Sequence, residues 1–372
     1  MSIASFTMPI VTLTPEISEI AARLLNQITS QPVPSYTFPA DSLKTENAAI
    51  SALKSLRAFT FVHEQIGPAA AVNAAGAIGP NQTSLVTVRY QTTALWLMRH
   101  GIARGLTDLI NKSNLAFAWA FGRQNVAGYF ENFAGEGGTS LAATTAIEGD
   151  TFFIASFVNA YRLVQGQPEL ASLVPSYASL NTALNASLSW MEANNSHIYS
   201  QATQTPNRLM FAAMAFCTGG VILSNSTYSS RGLDLVTTAL AMRHADGYFI
   251  EKGGWDTSYQ GVIIMLMSFV WMHATDPALR STLKTALGTA VDWEMTRITQ
   301  SGASAGLIST DGNTRTGPSG EVSPLTGKVK WPNYPEVALG LFYAGYILER
   351  LDVITTATNV VRYAAENWQT LS

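Results

Sequence analysis

The chain of 372 residues is poor in charge, with 13% charged and 47% hydrophobic residues. The charged fraction is about half of the ~25% that is usual for soluble domains. The net charge is −3 and there is no basic run or stripe, which argues against a nucleic-acid-binding protein. A surface made largely of Ser, Thr, Asn, Gln and Gly is typical of exported proteins. The segment MSIASFTMPIVTLTPEIS lacks the features of a signal peptide. We therefore expect a secreted or periplasmic protein whose signal peptide has been removed.

The sequence gives little support for a membrane protein, a disulfide-bonded protein or a metalloprotein. No apolar run reaches the ~18 uninterrupted residues of a membrane helix, and the apolar stretch 261–271 predicts a buried core helix instead. The single cysteine, Cys217, cannot form a disulfide within the chain, and its apolar surroundings predict a buried hydrophobic residue. Motifs such as HExxH or an EF-hand loop are missing, so we expect no metal and no cofactor.

Helical patterns follow one another along almost the whole chain. Thr14-Pro15-Glu16 is a helix start signal, and it predicts a first helix over 14–29. Apolar residues at three- and four-residue spacing, such as Leu180, Leu184 and Leu188, predict the later helices. These are expected over 45–65, 87–104, 105–121, 139–165, 168–193, 207–223, 231–244, 257–274, 276–299, 333–351 and 354–370. The best strand-like stretch is 84–90 (SLVTVRY), which also fits the beginning of a helix.

About twelve helices without a strand-rich region predict an all-α fold. We expect the helices to pair in a ring of about six pairs, an (α/α) toroid, which forms a single domain over residues 1–372. No linker and no repeat at a fixed period is visible. The longest loop, 301–332, is rich in glycine and poor in apolar residues, and a loop of this length is usually functional or mobile.

Two polar, aromatic segments interrupt the helical pattern in the first half of the chain. The segment 122–139 (GRQNVAGYFENFAGEGGT) offers Gln124 and Asn125 as sugar-binding amides, although an ordinary glycine-rich loop explains it equally well. The segment 192–208 (EANNSHIYSQATQTPNR) holds a second group of candidates. These are Asn195, His197, Tyr199, Asn207 and Arg208. A helix C-cap accounts for one asparagine but not for the whole group.

A third segment, 243–261 (RHADGYFIEKGGWDTSYQG), has the densest set of candidate residues. Asp256 or Thr257 can cap the apolar helix that follows. Tyr259 would then lie in the first turn of that helix, facing the pore of the expected ring. Trp255 follows a Gly-Gly pair and is therefore not expected to be simple core. The same segment supplies the substrate-binding candidates Arg243, His244 and Glu251.

These segments resemble a family of polysaccharide lyases. DGYFIEKGGWDTSYQG is similar to the "D-G-S-F-I … Y-x-G-x-Y-G" segment of chondroitin, hyaluronan and xanthan lyases, and Thr205-Pro206-Asn207-Arg208 resembles their "G-A-N-R" segment. The run Asn-Asn-Ser-His-x-Tyr resembles the "N-N-H-x-Y" motif of toroid alginate lyases. The resemblance covers about the central third of the chain and is nearest to the small glucuronan and alginate lyases.

The resemblance implies an (α/α) toroid and β-elimination at a uronic acid. Tyr259 takes the place of the residue that removes the C5 proton and protonates the leaving O4. Asn207 takes the place of the asparagine that neutralises the uronate carboxylate, while Asn195 and His197 match the alginate-lyase pair and compete for that role. The larger lyases have a histidine where this chain has Lys252, and we expect no counterpart of their C-terminal β-domains.

The chemistry of the reaction explains these residue types. Hydrogen-bond donors on the carboxylate stabilise the enolate-like charge of the transition state. A free tyrosine has a pKa of about 10 and is a poor base at neutral pH, so we expect a nearby cation to lower that pKa. The candidates for this cation are Lys252, Arg208, Arg243 and His197.

Two other interpretations remain open at this point. A glycoside hydrolase on the same toroid would need two facing carboxylates. Such a pair would come from Asp246, Glu251, Asp256, Glu131 and Glu136. A non-catalytic carbohydrate-binding protein would keep the aromatic and amide groups, and Trp331 would line its cleft or anchor the long loop. In each case the expected partner is a carbohydrate, for the lyase an acidic polysaccharide bound by a monomer, with no nucleic acid and no membrane.

Overall fold

The computed structural model describes residues 72–78, 88–130, 142–322 and 329–371. Helices hold 69% of the structure and no strand forms in these ranges, which confirms the all-α class. The helices predicted over 14–29 and 45–65 lie outside the described residues, as do Glu131 and Glu136.

The described residues form thirteen α-helices and one 3₁₀ helix, Pro168–Leu173. The α-helices are α1 (Val88–Gln91), α2 (Thr93–Arg104), α3 (Thr107–Phe121), α4 (Ala143–Gly166), α5 (Val174–Ala178), α6 (Asn181–Ala193), α7 (Asn195–Gln201), α8 (Pro206–Leu223), α9 (Ser226–Leu240), α10 (Thr257–His273), α11 (Pro277–Thr296), α12 (Tyr334–Leu348) and α13 (Leu351–Leu371). The residues of the predicted loop 301–332 that the structure describes contain no helix.

Several predicted boundaries were wrong for local reasons. The helix expected over 168–193 is divided into a 3₁₀ helix, α5 and α6, because Pro168 and Pro175 each begin a new helical segment. Helix α7 replaces part of the polar loop predicted before Asn207. Helix α9 begins earlier than expected because the Asn225 side chain accepts hydrogen bonds from the first-turn N–H groups. The described end of the strand-like stretch, 88–90, is helical.

The helices pack as an inner row backed by outer helices. In the inner row α2 contacts α4, α4 contacts α8, α8 contacts α10 and α10 contacts α12. Behind them lie α3, α6, α9, α11 and α13. Helices α8, α10 and α12 are buried on almost every side, which is the behaviour of helices that are apolar all round.

Arg99 connects the two ends of the inner row. From α2 it donates one hydrogen bond to the Tyr343 hydroxyl of α12 (3.2 Å) and another to Asn159 Oδ1 of α4 (2.6 Å). Its guanidinium also lies 4.3 Å from the ring centroid of Phe269 on α10. The first and last inner helices of the described chain therefore meet through one side chain.

Helix α8 is, within the described ranges, the one helix that is long and apolar enough to cross a membrane. In the structure 72% of that stretch is buried against other helices. Core helices commonly have this composition, so the finding is weak evidence for a membrane segment.

A single type of turn occurs four times among the described residues, over 73–78, 125–130, 244–249 and 299–308. In each turn the first residue donates its N–H to the carbonyl of the residue after a glycine, and the glycine N–H donates back to the first residue's carbonyl. The N···O distances lie between 2.7 and 3.0 Å. The sequence showed no repeat because the turns are unevenly spaced and the fourth carries four extra residues.

The glycine of each turn packs directly on an outer helix. These glycines are Gly76, Gly128, Gly247 and Gly306, with φ values of 101°, 98°, 104° and 95°. A Cβ at these positions would lie 2.1–2.5 Å from the carbonyl oxygens of Leu115, Ala186, Thr289 and Asn359. Both the positive φ and the close approach therefore require glycine at this point of the turn.

The residue two places after the glycine ties each turn to a helix through its N–H. The acceptors are Gln91 Oε1 (3.2 Å), Asp150 Oδ2 (3.2 Å), Gln260 Oε1 (2.9 Å) and Tyr334 Oη (3.3 Å). These four acceptors lie on α1, α4, α10 and α12, and the shared hydrogen bond gives the repeats a common register.

Candidate active site

A cavity of about 360 Å³ lies where the inner helices begin. Its volume is within the ~300–1,000 Å³ typical of ligand sites. Residues from the first two turns of α2, α4, α8, α10 and α12 contribute to its lining, together with Arg89 and Tyr90 of α1 and Arg315 of the long loop.

The register of the repeats explains which residues face the cavity. The position two residues after each acceptor lines the cavity in all four repeats, and it holds Thr93, Phe152, Val262 and Glu336. The position before the acceptor supplies Tyr90 and Tyr259. Side chains at equivalent positions of separate repeats thus line one cavity.

The cavity is charged at its mouth and apolar at its floor. Further along the inner helices the lining is Leu95, Phe211, Met214, Met265, Leu266 and Phe269. Near the helix beginnings it includes three arginines, Arg89, Arg208 and Arg315, and the two glutamates Glu148 and Glu336. The mouth therefore combines three guanidinium groups and two carboxyl groups with the partial positive charge of helix N-termini.

Tyr259 is the one residue of α10 that is not fully buried, because its side chain faces the cavity. Asp256 is the N-cap, and its Oδ1 accepts the N–H of Tyr259 at 3.2 Å. Asp256 Oδ2 accepts the N–H groups of Arg315 (2.9 Å) and Thr316 (2.8 Å) from the long loop. One carboxylate therefore holds both the beginning of α10 and the long loop. Its hydrogen bonds give Asp256 a structural role.

Arg315 covers the face of Tyr259. Its guanidinium carbon lies 3.9 Å from the Tyr259 ring centroid. Arg315 Nη1 donates to Glu251 Oε1 at 2.6 Å and Nε donates to Glu321 Oε2 at 3.1 Å, so the guanidinium plane is held from two sides. Glu251 is 2% exposed and lies behind Arg315, outside the cavity lining.

The expectation that a cation lowers the pKa of Tyr259 was wrong in its net result. Burial raises the pKa of Tyr259 to about 12, and the Arg315 cation opposes this rise without reversing it. Arg315, moreover, was not among the cations considered from the sequence. Tyr259 therefore holds its proton at neutral pH.

Asn207 and Arg208 line the same cavity as Tyr259. Asn207 is the second residue of α8, and it is 5% exposed. Its Oδ1 has no hydrogen-bond partner among the described residues. A buried carbonyl oxygen without a partner is costly unless a ligand hydroxyl or another donor completes its hydrogen bond. Arg208 Nη1 lies 3.1 Å from Glu148, which also accepts Arg89 at 3.3 Å.

The competing asparagine and its neighbours lie away from the cavity, on α7. Asn195 Nδ2 donates to the carbonyl of Glu192 at 2.7 Å, and the Tyr199 hydroxyl accepts a long hydrogen bond of 3.4 Å from Arg231. His197 is half-buried and is not part of the lining. Of the two asparagines, the structure brings Asn207 to Tyr259.

The remaining candidates of segment 243–261 lie outside the cavity lining. Lys252 pairs with Glu321 through a short contact. Arg243 donates to the Thr289 hydroxyl at 2.8 Å. The His244 ring stacks on Tyr248 with 4.5 Å between centroids, and Trp255 packs edge-on against the same tyrosine. These residues belong to the segment that precedes α10, and none of them lines the cavity.

The candidates from the other two loops also lie outside the lining. Gln124 Nε2 donates to the carbonyls of Gly128 (3.0 Å) and Ala183 (2.8 Å), and Asn125 Oδ1 accepts the N–H of Ala127. Both amides therefore build the repeated turn. Trp331 is 48% exposed on the surface.

Four charged cavity residues escaped the sequence analysis: Arg89, Glu148, Arg315 and Glu336. One signal was present, since Glu336 is the one charged residue in the apolar helix α12. Burial raises the pKa of Glu336 to about 7. Arg315 carried no such signal, because it lies in a loop without periodicity.

No model of a known protein family matches the chain, and no curated protein sequence matches it. The residues that line the cavity are therefore the basis for a function.

Proposed function

We propose that this chain is a polysaccharide lyase that cleaves a uronic-acid-containing polymer of the glucuronan or alginate type by β-elimination. The observation that carries the proposal is the meeting of Tyr259, Asn207 and Arg208 in one cavity. These residues come from two sequence segments, each of which resembles a lyase motif. We further propose that the enzyme acts outside the cytoplasm as a monomer.

An (α/α) toroid is the arrangement that we propose for the whole chain. Five inner helices, each followed by an outer helix in the described ranges, are consistent with a ring of about six pairs. The repeated turn and the contact of Arg99 with Tyr343 support this arrangement. In such a ring the inner helices begin on one face, where the cavity lies.

The cavity mouth offers what a uronate carboxylate needs in the transition state. Asn207 lines the cavity, and neither its Nδ2 group nor the Arg315 Nη2 group makes a hydrogen bond within the described residues. Two such donors stabilise the charge that develops on the carboxylate when the C5 proton leaves. Each preorganised donor of this kind is worth about 3 kcal/mol.

Tyr259 is placed to transfer a proton to the substrate. With a pKa of about 12 it carries its proton at neutral pH, and it is therefore ready to protonate the leaving O4. The Arg315 guanidinium on its ring face stabilises the phenolate that results.

The test is ultraviolet absorbance during incubation with glucuronan, alginate, hyaluronan and chondroitin. Elimination forms a C4=C5 double bond that absorbs, and we expect a rise with one of these polymers. Tyr259→Phe should lose about 10²–10⁴-fold in rate. Tyr248→Phe, a tyrosine outside the lining, is the matched control and should keep wild-type activity. Reducing ends without absorbance would overturn the lyase proposal.

A glycoside hydrolase is the second candidate, because two carboxylates line the cavity. They are Glu148 and Glu336, not the acids considered from the sequence. Glu148 is paired with Arg89 and Arg208, while the raised pKa of Glu336 suits a general acid. Hydrolysis would yield new reducing ends without ultraviolet absorbance.

A further inference from the structure

The carboxyl group of Glu336 has no structural use in the described chain. Asn333 caps α12 by accepting the N–H of Glu336 at 3.2 Å. In a capping box the glutamate at this position accepts the N–H of the capping residue in return. Here the Asn333 N–H donates instead to Ser258 Oγ at 2.9 Å, which leaves the Glu336 carboxyl free of the cap.

Glu336 also makes no ion pair within the described residues, although three arginines line the same cavity. Arg89 and Arg208 both pair with Glu148. Arg315 pairs with Glu251 and Glu321. An unpaired carboxylate in a desolvated place is costly, so such a group is typical of functional sites.

The repeats show that this position does not require a carboxyl group. The equivalent residues Thr93, Phe152 and Val262 line the cavity without charge. Glu336 is therefore the exception among four equivalent positions.

Glu336 and Tyr259 line the same cavity from α12 and α10, two helices that pack closely together. A Cβ at Gly261 would lie 2.5 Å from Val337 Cγ2 and 2.8 Å from Val337 Cα. Tyr259 precedes Gly261 by two residues and Glu336 directly precedes Val337, and both side chains line the cavity. Two groups that are able to transfer a proton thus line one cavity from neighbouring helices.

We propose that Glu336 is a second proton-transfer residue, and that it acts as the base while Tyr259 acts as the acid. This role rests on the proposed lyase function. The Glu336 carboxylate takes the proton from C5, and the C5–H electron pair forms the C4=C5 double bond. The C4–O4 bond breaks with its electron pair on O4, which takes the phenolic proton of Tyr259. The carboxyl proton then passes to the phenolate and restores both groups.

The separate roles of Glu336 as base and Tyr259 as acid predict how the rate of elimination depends on pH. The charged groups that face Glu336 across the cavity are Arg89, Arg208, Arg315 and Glu148, and the tyrosines are Tyr90 and Tyr259. Since the pKa of Glu336 is raised to about 7, the base form is present above that pH. The rate of elimination should rise as the pH passes about 7. The rise should follow the titration of a single group, the Glu336 carboxyl.

The experiment measures kcat and KM against pH for the wild type, Glu336→Gln and Glu336→Asp, with ultraviolet absorbance as the readout. We expect Glu336→Gln to lower kcat by about 10²–10⁴-fold, to change KM little and to lose the limb near neutral pH. Glu336→Asp should regain part of kcat together with a shifted limb. Glu148→Gln, the matched carboxylate of the cavity, should raise KM more than it lowers kcat.

The outcomes separate this role from the proposed function. Unsaturated product from the wild type with an unchanged kcat and pH limb in Glu336→Gln would overturn the role of Glu336 alone. The absence of unsaturated product from the wild type on every polymer would overturn the lyase proposal and the role together. Thermal unfolding of each variant checks that a lost rate does not reflect a lost fold.

Discussion

The Arg315 guanidinium carbon lies 3.9 Å from the centroid of the Tyr259 ring, and Glu251 and Glu321 hold it there. The long glycine-rich loop thus contributes the cation that faces the proposed catalytic tyrosine. Asp256 anchors the same loop through the N–H groups of Arg315 and Thr316. The loop and the first turn of α10 therefore form one unit, and a change in either is expected to affect both.

Arg315→Ala should destabilise the protein and abolish elimination. The change leaves Glu251, which is 2% exposed, without its counter-ion, and an orphaned buried charge costs about 3–5 kcal/mol. Because burial already raises the pKa of Glu251 to about 7, protonation relieves part of this cost below that pH. Denaturant unfolding should show a larger loss at a pH of about 8 than at about 5.

A double mutant checks the cause of that loss. Glu251→Gln removes the charge that Arg315→Ala leaves unpaired, so the double mutant should be more stable than Arg315→Ala alone at alkaline pH. Equal stabilities of the single and double mutants would contradict an orphaned Glu251 carboxylate as the cause.

Asn207→Ala should separate activity from stability. The Asn207 Oδ1 has no partner in the described structure, so its removal sacrifices no hydrogen bond of the fold, and we expect about 1 kcal/mol or less of destabilisation. The loss of one preorganised donor should lower kcat about 10²–10³-fold. Asn207→Asp, nearly identical in shape, should also raise KM because a carboxylate repels the uronate. Steady-state kinetics and thermal unfolding measure both, and a large stability loss with intact kcat would contradict this assignment.

The all-α class and the place of Tyr259 at a helix beginning followed from the sequence, and the residues that surround Tyr259 did not. Periodicity revealed the buried helices α8 and α10, and the turn and cap signals placed Tyr259 at the beginning of α10 as observed. Helix α7 was missed because a short polar helix has no periodic pattern. Arg89, Glu148 and Arg315 meet Tyr259 and Asn207 only through tertiary packing of elements that are far apart in the chain. A single sequence does not encode such pairings as a local pattern.

The four repeated turns predict unequal effects for two glycines of the same segment. Gly247 has φ of +104° and its added Cβ would lie 2.4 Å from the Thr289 carbonyl oxygen. Gly253 has φ of +86°, and no atom lies within 4 Å of its added Cβ. We expect Gly253→Ala to cost about 1 kcal/mol from backbone strain alone, and Gly247→Ala to cost at least twice as much. Denaturant unfolding of the two variants measures the difference, and equal losses would show that the contact with α11 is not rigid.

Glu336→Gln should stabilise the protein while it lowers activity, and the gain should depend on pH. The pKa of Glu336 in the folded protein is raised to about 7 from an ordinary value of 4.5. A carboxyl group with a raised pKa favours the folded state fully below its unfolded pKa, and this stability is lost as the pH rises through the folded pKa. The neutral amide of glutamine avoids that loss. The free energy of unfolding of the variant should therefore match that of the wild type at a pH of about 4 and exceed it by about 2–3 kcal/mol at a pH of about 8.

Glu366→Gln on α13 is the control and should show no comparable gain. The carboxylate of Glu366 lies 3.9 Å from Arg362. Denaturant unfolding at both pH values tests the sign, and a Glu336→Gln variant that is less stable than the wild type at alkaline pH would show that the carboxylate has a stabilising partner.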